Sequence, residues 1–244
     1  MMEEDGFVLF DADPRVAAWA AVARRVAEPI VSDHSMRVAN LRHGKTWFVG
    51  VDVLSNDPGG RVAGVSLSGP WERDVPRLPQ HRAQVSIIYP GYPLQDPDES
   101  DANHRFRINR CAAHVDGLLP EGPARRRYAR EFHAYILGLP LNDVASAPTV
   151  VWRGSHRIMR AALAEAVGTQ AIGSVDLTDA YHAARRRVFE ICERVPLRAT
   201  PGQSYLIHRF ALHGTAPWEG PDGPGRMVAF FRPEFPDPAD WLAA

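Results

Sequence analysis

The stretch QSYLIHRFALHGTAPWEGPDGPGRMVAFF, residues 203–231, contains two apolar segments separated by a turn-rich loop. Residues 203–212 and 227–231 are rich in aromatic and branched side chains, whereas residues 217–225 are rich in proline and glycine. Short apolar segments between such loops are typical of β-strands. The C-terminal part of the chain is therefore predicted to be β-structure.

The same pattern extends toward the N-terminus. We predict strands within residues 41–95, extended segments at residues 106–115, 132–141 and 149–152, and an exposed loop at 96–101. Helices are predicted at residues 14–28 and 159–167, and in a longer stretch after Asp176 that Pro196 ends. This succession predicts an all-β core with α additions.

Composition excludes several classes of protein. The 244 residues carry 28 basic and 29 acidic side chains, so the net charge is -1, which argues against nucleic acid as a partner. No run of roughly 18 apolar residues occurs, so we expect no membrane span. The acidic start Met-Met-Glu-Glu-Asp differs from a basic secretory signal, and the two cysteines form no disulfide framework. We therefore expect a cytoplasmic protein that acts on a small molecule.

The residues with the clearest chemistry are His114, Asp116 and His213. Side chains at positions i and i+2 of a strand project from the same face, so His114 and Asp116 can reach one metal ion. A distant histidine completes a set of two imidazoles and one carboxylate, which is typical of non-heme Fe(II) oxygenases. The His-x-Asp triplet alone is weak evidence, because such triplets occur by chance.

Arg226 adds a second chemical feature. If the segments on either side of the loop pair as a hairpin, Arg226 returns close to His213 and Thr215. A guanidinium binds a carboxylate through two hydrogen bonds, and the Thr215 hydroxyl can add one more, as an oxygenase that uses 2-oxoglutarate requires. The alternative is a surface arginine paired with Glu219 or Asp222.

Four sequence elements together resemble the phytanoyl-CoA dioxygenase-like branch of the Fe(II)/2-oxoglutarate-dependent oxygenases. They are His114-Val115-Asp116, Trp152-Arg153-Gly154-Ser155-His156-Arg157, Pro201-Gly202-Gln203 leading to His213-Gly214-Thr215, and Gly225-Arg226. The resemblance covers roughly residues 82–235, and Gln203 stands where the family usually has aspartate.

The resemblance implies a double-stranded β-helix, also called a jelly roll or cupin-like fold, with flanking helices. It implies a single domain over residues 1–244, with a core at about 82–235 and residues 1–81 packed on it. It also implies iron held by His114, Asp116 and His213, and 2-oxoglutarate held by Arg226 and Thr215. Tyr135 is similar in placement to an aromatic residue that borders the co-substrate in this branch, and a core tyrosine is the equal alternative. Oxygen would be the second co-substrate, and the reaction would be hydroxylation with release of succinate and CO2.

Several neighbouring residues compete for these roles. Arg232 lies six residues after Arg226, on the same face of a regular strand but about 20 Å away. Five residues separate His208 from His213, which favours a packed histidine over a ligand. His156 is expected to be structural, and the arginine runs 125–127 and 185–187 to be solvated, although either run could bind an anionic group.

Two other functions fit the same residues. The three ligands could hold another divalent ion in a jelly-roll hydrolase or isomerase, which needs no co-substrate arginine. The chain could also be a catalytically silent relative that binds a small molecule. The sequence reveals neither the prime substrate nor the oligomeric state.

Overall fold

A computed structural model of the chain describes residues 2–243. The helices are α1 (Met2–Asp5), α2 (Pro14–Ser32), α3 (His34–Asn40), α4 (Asp101–Arg110), α5 (Ser155–Val167) and α6 (Thr178–Ile191). The strands are β1 (Phe7–Phe10), β2 (Leu41–Arg42), β3 (Trp47–Gly50), β4 (Gln84–Ile88), β5 (Leu118–Glu121), β6 (Arg126–Ala129), β7 (Tyr135–Pro140), β8 (Thr149–Trp152), β9 (Arg194–Leu197), β10 (Ser204–His208), β11 (His213–Thr215) and β12 (Arg226–Phe231). Within the described range, no helix combines the length and apolar character needed to cross a bilayer.

The strands form a large and a small antiparallel sheet. The large sheet has the order β1-β10-β7-β12-β4-β3-β2, and the small sheet has the order β11-β8-β9. A backbone bridge joins His114 to His213, so residue 114 extends the small sheet beside β11. Strands β5 and β6 pair separately.

From β4 onward the chain passes repeatedly between the two sheets. β4, β7, β10 and β12 lie in the large sheet, whereas residue 114, β8, β9 and β11 lie in the small sheet. Eight extended segments shared in this way between two antiparallel sheets form a jelly roll. The predicted double-stranded β-helix with flanking helices is therefore confirmed.

The side chains of β12 alternate between two cores. Val228 and Phe230 belong to the cluster that joins the two sheets, while Phe231 belongs to the cluster that includes α2. The rings of Trp19 and Phe231 lie 5.7 Å apart. Because both faces of β12 are covered, the strand is apolar at successive positions instead of alternating with polar residues.

Helix α2 begins where the sequence predicts it. Asp13 caps the helix by accepting a hydrogen bond from the Arg15 backbone N–H, and Pro14 occupies the first turn. The buried face contains Val16 and Trp19, and Trp19 is fully buried. The helix therefore covers the outer face of the large sheet.

The prediction of an extended segment from residue 106 to residue 115 is wrong for its first half. Phe106 lies in α4, because the Ser100 side chain caps that helix by accepting a hydrogen bond from the Asn103 N–H. Cys111 and Ala112 then adopt positive φ values of 54° and 51°, which turns the chain toward the small sheet. Only His114 makes a β-bridge there.

The segments on either side of the 217–225 loop do not pair with each other as a hairpin. β11 pairs with β8 in the small sheet, whereas β12 pairs with β4 and β7 in the large sheet. The loop after Thr215 therefore crosses between sheets. Pro196 does not end α6 but lies in β9, an edge strand of the small sheet, where a missing N–H is tolerated.

We expect Phe231→Ala to lower the free energy of unfolding by about 3–5 kcal/mol, because it leaves a cavity between the large sheet and α2. Val51→Ala is the control, since Val51 is 61 % exposed, and its effect should stay within about 0.5 kcal/mol. Urea denaturation followed by circular dichroism measures both. Equal midpoints for the two variants would contradict the packing of Phe231 in this core.

Candidate metal centre and the cavity around it

The segment around His114 is held against β11 by main-chain hydrogen bonds. The His114 N–H donates to the His213 carbonyl at 2.9 Å, and the His213 N–H donates to the His114 carbonyl at 3.0 Å. Because the two residues form a directly opposed pair, their imidazole rings lie on the same side, with centroids 4.7 Å apart. Asp116 follows two residues later, so the structure brings the three predicted ligands together.

A glycine permits this close approach. A Cβ atom at Gly214 would lie 2.1 Å from the Cys111 carbonyl oxygen. That carbonyl accepts a hydrogen bond from the Thr215 N–H at 3.0 Å. Any side chain at position 214 would therefore push the segment that carries His114 and Asp116 away from β11.

Both histidines are oriented by hydrogen bonds at Nδ1. His114 Nδ1 lies 3.0 Å from the Ala112 carbonyl oxygen, and His213 Nδ1 lies 2.9 Å from the Ala211 carbonyl oxygen. A carbonyl oxygen only accepts hydrogen bonds, so each Nδ1 carries the proton in the neutral ring and each Nε2 carries a lone pair. Carbonyls in this position orient metal-bound histidines in the same way.

The two Nε2 atoms face the Asp116 carboxylate. His114 Nε2 lies 3.0 Å from Asp116 Oδ1, and His213 Nε2 lies 3.6 Å from Asp116 Oδ2. One ligand atom from each residue falls within a group spanning at most 4.8 Å. His213 Nε2 is buried and has no hydrogen-bond partner in the described part of the chain. Three electron-pair donors that converge in this way are suited to a positive charge between them.

Arg232 holds the Asp116 carboxylate. Its Nε donates to Asp116 Oδ2 at 2.6 Å, and its Nη1 donates to Gln84 Oε1 at 2.7 Å. Burial alone would raise the pKa of Asp116, but the charge of Arg232 acts in the opposite direction, and that pKa lies well below its usual range. From the sequence, Arg232 is an alternative to Arg226 as the residue that anchors the co-substrate. The six-residue spacing places both arginines on the same strand face, but Arg232 binds Asp116.

Arg226 lies at the other end of that strand face and is buried. Its Nη2 donates to Thr149 Oγ1 at 2.8 Å, and the Tyr205 hydroxyl lies 3.0 Å from the same oxygen. Within residues 2–243, no carboxylate oxygen lies within 4.0 Å of its guanidinium. Burial lowers the pKa of Arg226, but a guanidinium stays charged at neutral pH. A buried cation without a counter-ion is costly, so the site is suited to an anionic ligand.

Thr215 and Tyr135 differ in their relation to this site. Thr215 is the register partner of Thr149 and lines the cavity. Tyr135 packs in the core that includes α2, and its hydroxyl accepts a hydrogen bond from Gln80 Nε2 at 3.3 Å. Successive side chains of β7 point to opposite faces, so Ile136 reaches the cavity and Tyr135 does not. The structure therefore does not bring Tyr135 to the predicted co-substrate site.

Thr149 and Tyr205 are site residues that the sequence does not single out. Both are buried, and their hydroxyls meet between the two sheets. The signal that could identify them in the sequence is a polar side chain within an apolar strand segment, because a buried hydroxyl needs a hydrogen-bond partner. The sequence cannot show that this partner network includes Arg226.

His208 and His156 lie together, away from the metal centre. Their ring centroids are 4.8 Å apart in a separate cavity, and His208 Nδ1 accepts a hydrogen bond from the Phe210 N–H. Burial lowers the pKa of His208 to about 3, so the ring is neutral. Strand β10 ends at His208 and β11 begins at His213, so the two histidines do not lie on one unbroken strand.

The triad opens into a cavity of about 710 Å³ between the two sheets and helices α4 and α6. His114 is the most accessible ligand, with 43 % of its side chain exposed, against 7 % for His213 and 13 % for Asp116. A volume of this size accepts a small molecule beside the metal centre.

Comparison with known proteins gives fold-level similarity only. No family model matches the chain, and no curated protein matches it. EctD from S. alaskensis, solved with 2-oxoglutarate and 5-hydroxyectoine, is 16 % identical with a TM-score of 0.49 over 94 % of this chain and 72 % of its own. SnoK, a non-heme alpha ketoglutarate dependent carbocyclase from nogalamycin biosynthesis, is 15 % identical with a TM-score of 0.49 over 94 % and 79 %.

HygX from Streptomyces hygroscopicus, solved with nickel and 2-oxoglutarate, is 16 % identical with a TM-score of 0.44 over 96 % of this chain and 85 % of its own. These values are too low to transfer an activity. We therefore base the functional assignment on the residues of this chain.

We expect Gly214→Ala to weaken binding of Ni(II), used as an air-stable probe of the triad, by about tenfold or more, since displaced ligands typically cost this much in metal affinity. Gly223→Ala is the control, because a Cβ there would meet its nearest neighbour, Trp218, at an ordinary 3.9 Å. Isothermal titration calorimetry measures both affinities. Unchanged Ni(II) affinity in a folded Gly214→Ala protein would show that the close approach does not position the triad.

Proposed function

We propose that the protein is a non-heme Fe(II)- and 2-oxoglutarate-dependent dioxygenase that hydroxylates a small-molecule substrate and releases succinate and CO2. The observation that carries this proposal is the combination of the His114–Asp116–His213 triad with the buried Arg226, which has no carboxylate partner among residues 2–243. The triad by itself would also suit a hydrolase, and the arginine by itself would suit any anion-binding protein. Together they provide one place for a metal and one for an anionic co-substrate in the same core.

The donor set fits iron. Two imidazole Nε2 atoms and one carboxylate on one face leave positions free for other ligands, which is the arrangement of non-heme Fe(II) oxygenases. The buried Nε2 of His213 lacks a partner in the described residues, as expected for an atom that ligates a metal. Arg232 donates a hydrogen bond to Asp116 Oδ2, so the carboxylate that would hold the ion is fixed in place by the protein.

The position of Arg226 fits the distal carboxylate of 2-oxoglutarate. His213 and Thr215 lie two residues apart on β11, so their side chains share a face and are separated by about 7 Å along the strand. Thr149, the register partner of Thr215, is hydrogen-bonded to Arg226. A short dicarboxylate can therefore extend along the strand from the triad toward Arg226.

In the proposed reaction the protein orients the metal ligands and the co-substrate. Arg226 would hold the distal carboxylate, with the hydroxyls of Thr149 and Thr215 as further hydrogen-bond donors. Arg232 and Gln84 keep the Asp116 carboxylate in one orientation. When bound, iron and 2-oxoglutarate supply the oxidative chemistry, in which O2 decarboxylates the co-substrate and one oxygen atom enters a C–H bond of the substrate.

The alternative functions account for fewer of these features. A metal-dependent hydrolase or isomerase would use the triad but has no use for a buried arginine without a counter-ion. A catalytically silent binding protein would not need two histidines oriented through carbonyl hydrogen bonds. Arg226 is therefore the residue that favours the oxygenase.

We expect His114→Ala and His213→Ala to abolish Fe(II)-dependent formation of succinate from 2-oxoglutarate, because each removes a metal ligand. His34→Ala is the control, since His34 is exposed on α3. Succinate is quantified by mass spectrometry after incubation with Fe(II), 2-oxoglutarate and a set of candidate small molecules. Full succinate formation in both triad variants would contradict the assignment.

We expect Arg226→Met to raise the KM for 2-oxoglutarate by about 10- to 100-fold, as loss of charged hydrogen bonds worth about 1.5–3 kcal/mol predicts. Because a buried charge without a counter-ion is removed, the melting temperature should stay equal or rise. Arg186→Met, on the exposed side of α6, is the control and should change neither value. An unchanged KM, or a loss of activity that merely follows unfolding, would show that Arg226 does not anchor the co-substrate.

A further inference from the structure

Part of the cavity is formed by elements that carry neither the triad nor Arg226. Its lining there includes Phe106 from α4, Arg127 from β6, and Tyr181 and Arg185 from α6. The proposed chemistry at the metal uses none of these four residues. Their arrangement indicates a separate binding function.

Two guanidiniums flank one aromatic ring. Arg127 and Arg185 each lie 5.2 Å from the centroid of the Tyr181 ring, and Arg185 also lies 4.7 Å from the Phe106 centroid. Stacking on aromatic rings fixes the plane of a guanidinium and leaves N–H groups at its edge. The two arginines are therefore held in place before any ligand binds.

Neither arginine has an acidic partner. Over residues 2–243, no carboxylate oxygen lies within 4.0 Å of the Arg127 or Arg185 guanidinium, and the Arg127 guanidinium donates a hydrogen bond to the Leu118 carbonyl at 2.9 Å. Nearby arginines differ in this respect. Arg126 pairs with Asp176 and Asp179, and Arg107, which also lines the cavity, pairs with Glu99.

Tyr181 provides an independent observation. The residue is 1 % exposed, and its hydroxyl is buried without a hydrogen-bond partner among the described residues. Buried hydroxyls are almost always hydrogen-bonded, so this one lacks an acceptor or donor that a ligand can provide. The two arginines also make this neighbourhood positive. Burial and the charges of Arg185 and Arg127 lower the pKa of His182, the residue next to Tyr181.

We propose that the prime substrate carries an anionic group, a carboxylate or a phosphate, which binds to Arg127, Arg185 and the Tyr181 hydroxyl. Both anions accept paired hydrogen bonds from guanidiniums and one more from a hydroxyl. Phe106 would contact the adjoining apolar part of the substrate. This anion site would define the substrate class of the proposed dioxygenase. The inference rests on the proposed function only in assuming which reaction the bound substrate undergoes.

The test is a binding measurement on the intact, metal-free protein with three matched probes. Phenyl phosphate and phenylacetate carry the two candidate anions, and benzyl alcohol carries none. Isothermal titration calorimetry should show that at least one anionic probe binds more tightly than benzyl alcohol. The preference between the two anionic probes decides between phosphate and carboxylate.

Variants locate the binding site. Arg185→Gln and Arg127→Gln should each weaken the preferred anion by about tenfold or more, as expected for the loss of a charged hydrogen bond. Tyr181→Phe should weaken it about fivefold without lowering the melting temperature, because the hydroxyl it removes has no partner among the described residues. Arg186→Gln makes the same charge change at an exposed position of α6 and should bind the probes as the unmodified protein does.

Two results would overturn the inference. One is equal affinity of all three probes for the unmodified protein. The other is equal weakening by Arg185→Gln and Arg186→Gln, which would reveal only a general field of positive charge. Because iron is absent from the experiment, a protein that binds the anion but forms no succinate would refute the dioxygenase and leave the anion site intact.

Discussion

The reciprocal backbone hydrogen bonds between His114 and His213 are the interaction on which the rest of the site depends. They join a segment that forms no regular strand to the small sheet. Because Gly214 lets the two backbones approach, the imidazoles are opposed and Asp116 completes the triad. The rings are then oriented by local carbonyls, so the backbone fixes both the position and the donor atom of each histidine.

The arginines around this centre differ in whether they have an acidic partner. Arg232 is paired with the Asp116 carboxylate, whereas Arg226 is buried without an acidic partner among residues 2–243. Arg127 and Arg185 are likewise free of acidic partners in the described structure and are held by aromatic rings. A cation that a protein buries without a counter-ion costs stability, so the buried Arg226 indicates an anionic ligand. Arg127 and Arg185 are half-buried and lie beside the Tyr181 hydroxyl, which has no hydrogen-bond partner among the described residues. The core is thereby suited to two anions, one at Arg226 and one in the cavity beside Tyr181.

The sequence predicts the strands and the triad better than it predicts their connections. Apolar segments bounded by proline and glycine identify β10 and β12, and the His-x-Asp triplet with a later histidine identifies the ligand set. The local pattern also cannot show whether the segments around the 217–225 loop pair as a hairpin, because it does not say which sheet a strand joins. Tyr135 faces the core that includes α2 and not the site. The sequence could not show this, because both faces of β7 are buried and its residues alone do not say which face a side chain is on. Thr149, Tyr205 and the role of Arg232 depend on contacts between distant segments, which only the fold reveals.

We propose that one core binds Fe(II) at the triad and 2-oxoglutarate between the triad and Arg226. Anaerobic titration of the Fe(II)-loaded protein with 2-oxoglutarate, followed by visible absorption, tests this most directly. We predict a weak charge-transfer band that requires both components and saturates at one equivalent of 2-oxoglutarate. No such band in a protein that binds Fe(II) would contradict the claim and favour a metal-dependent hydrolase or a silent binding protein.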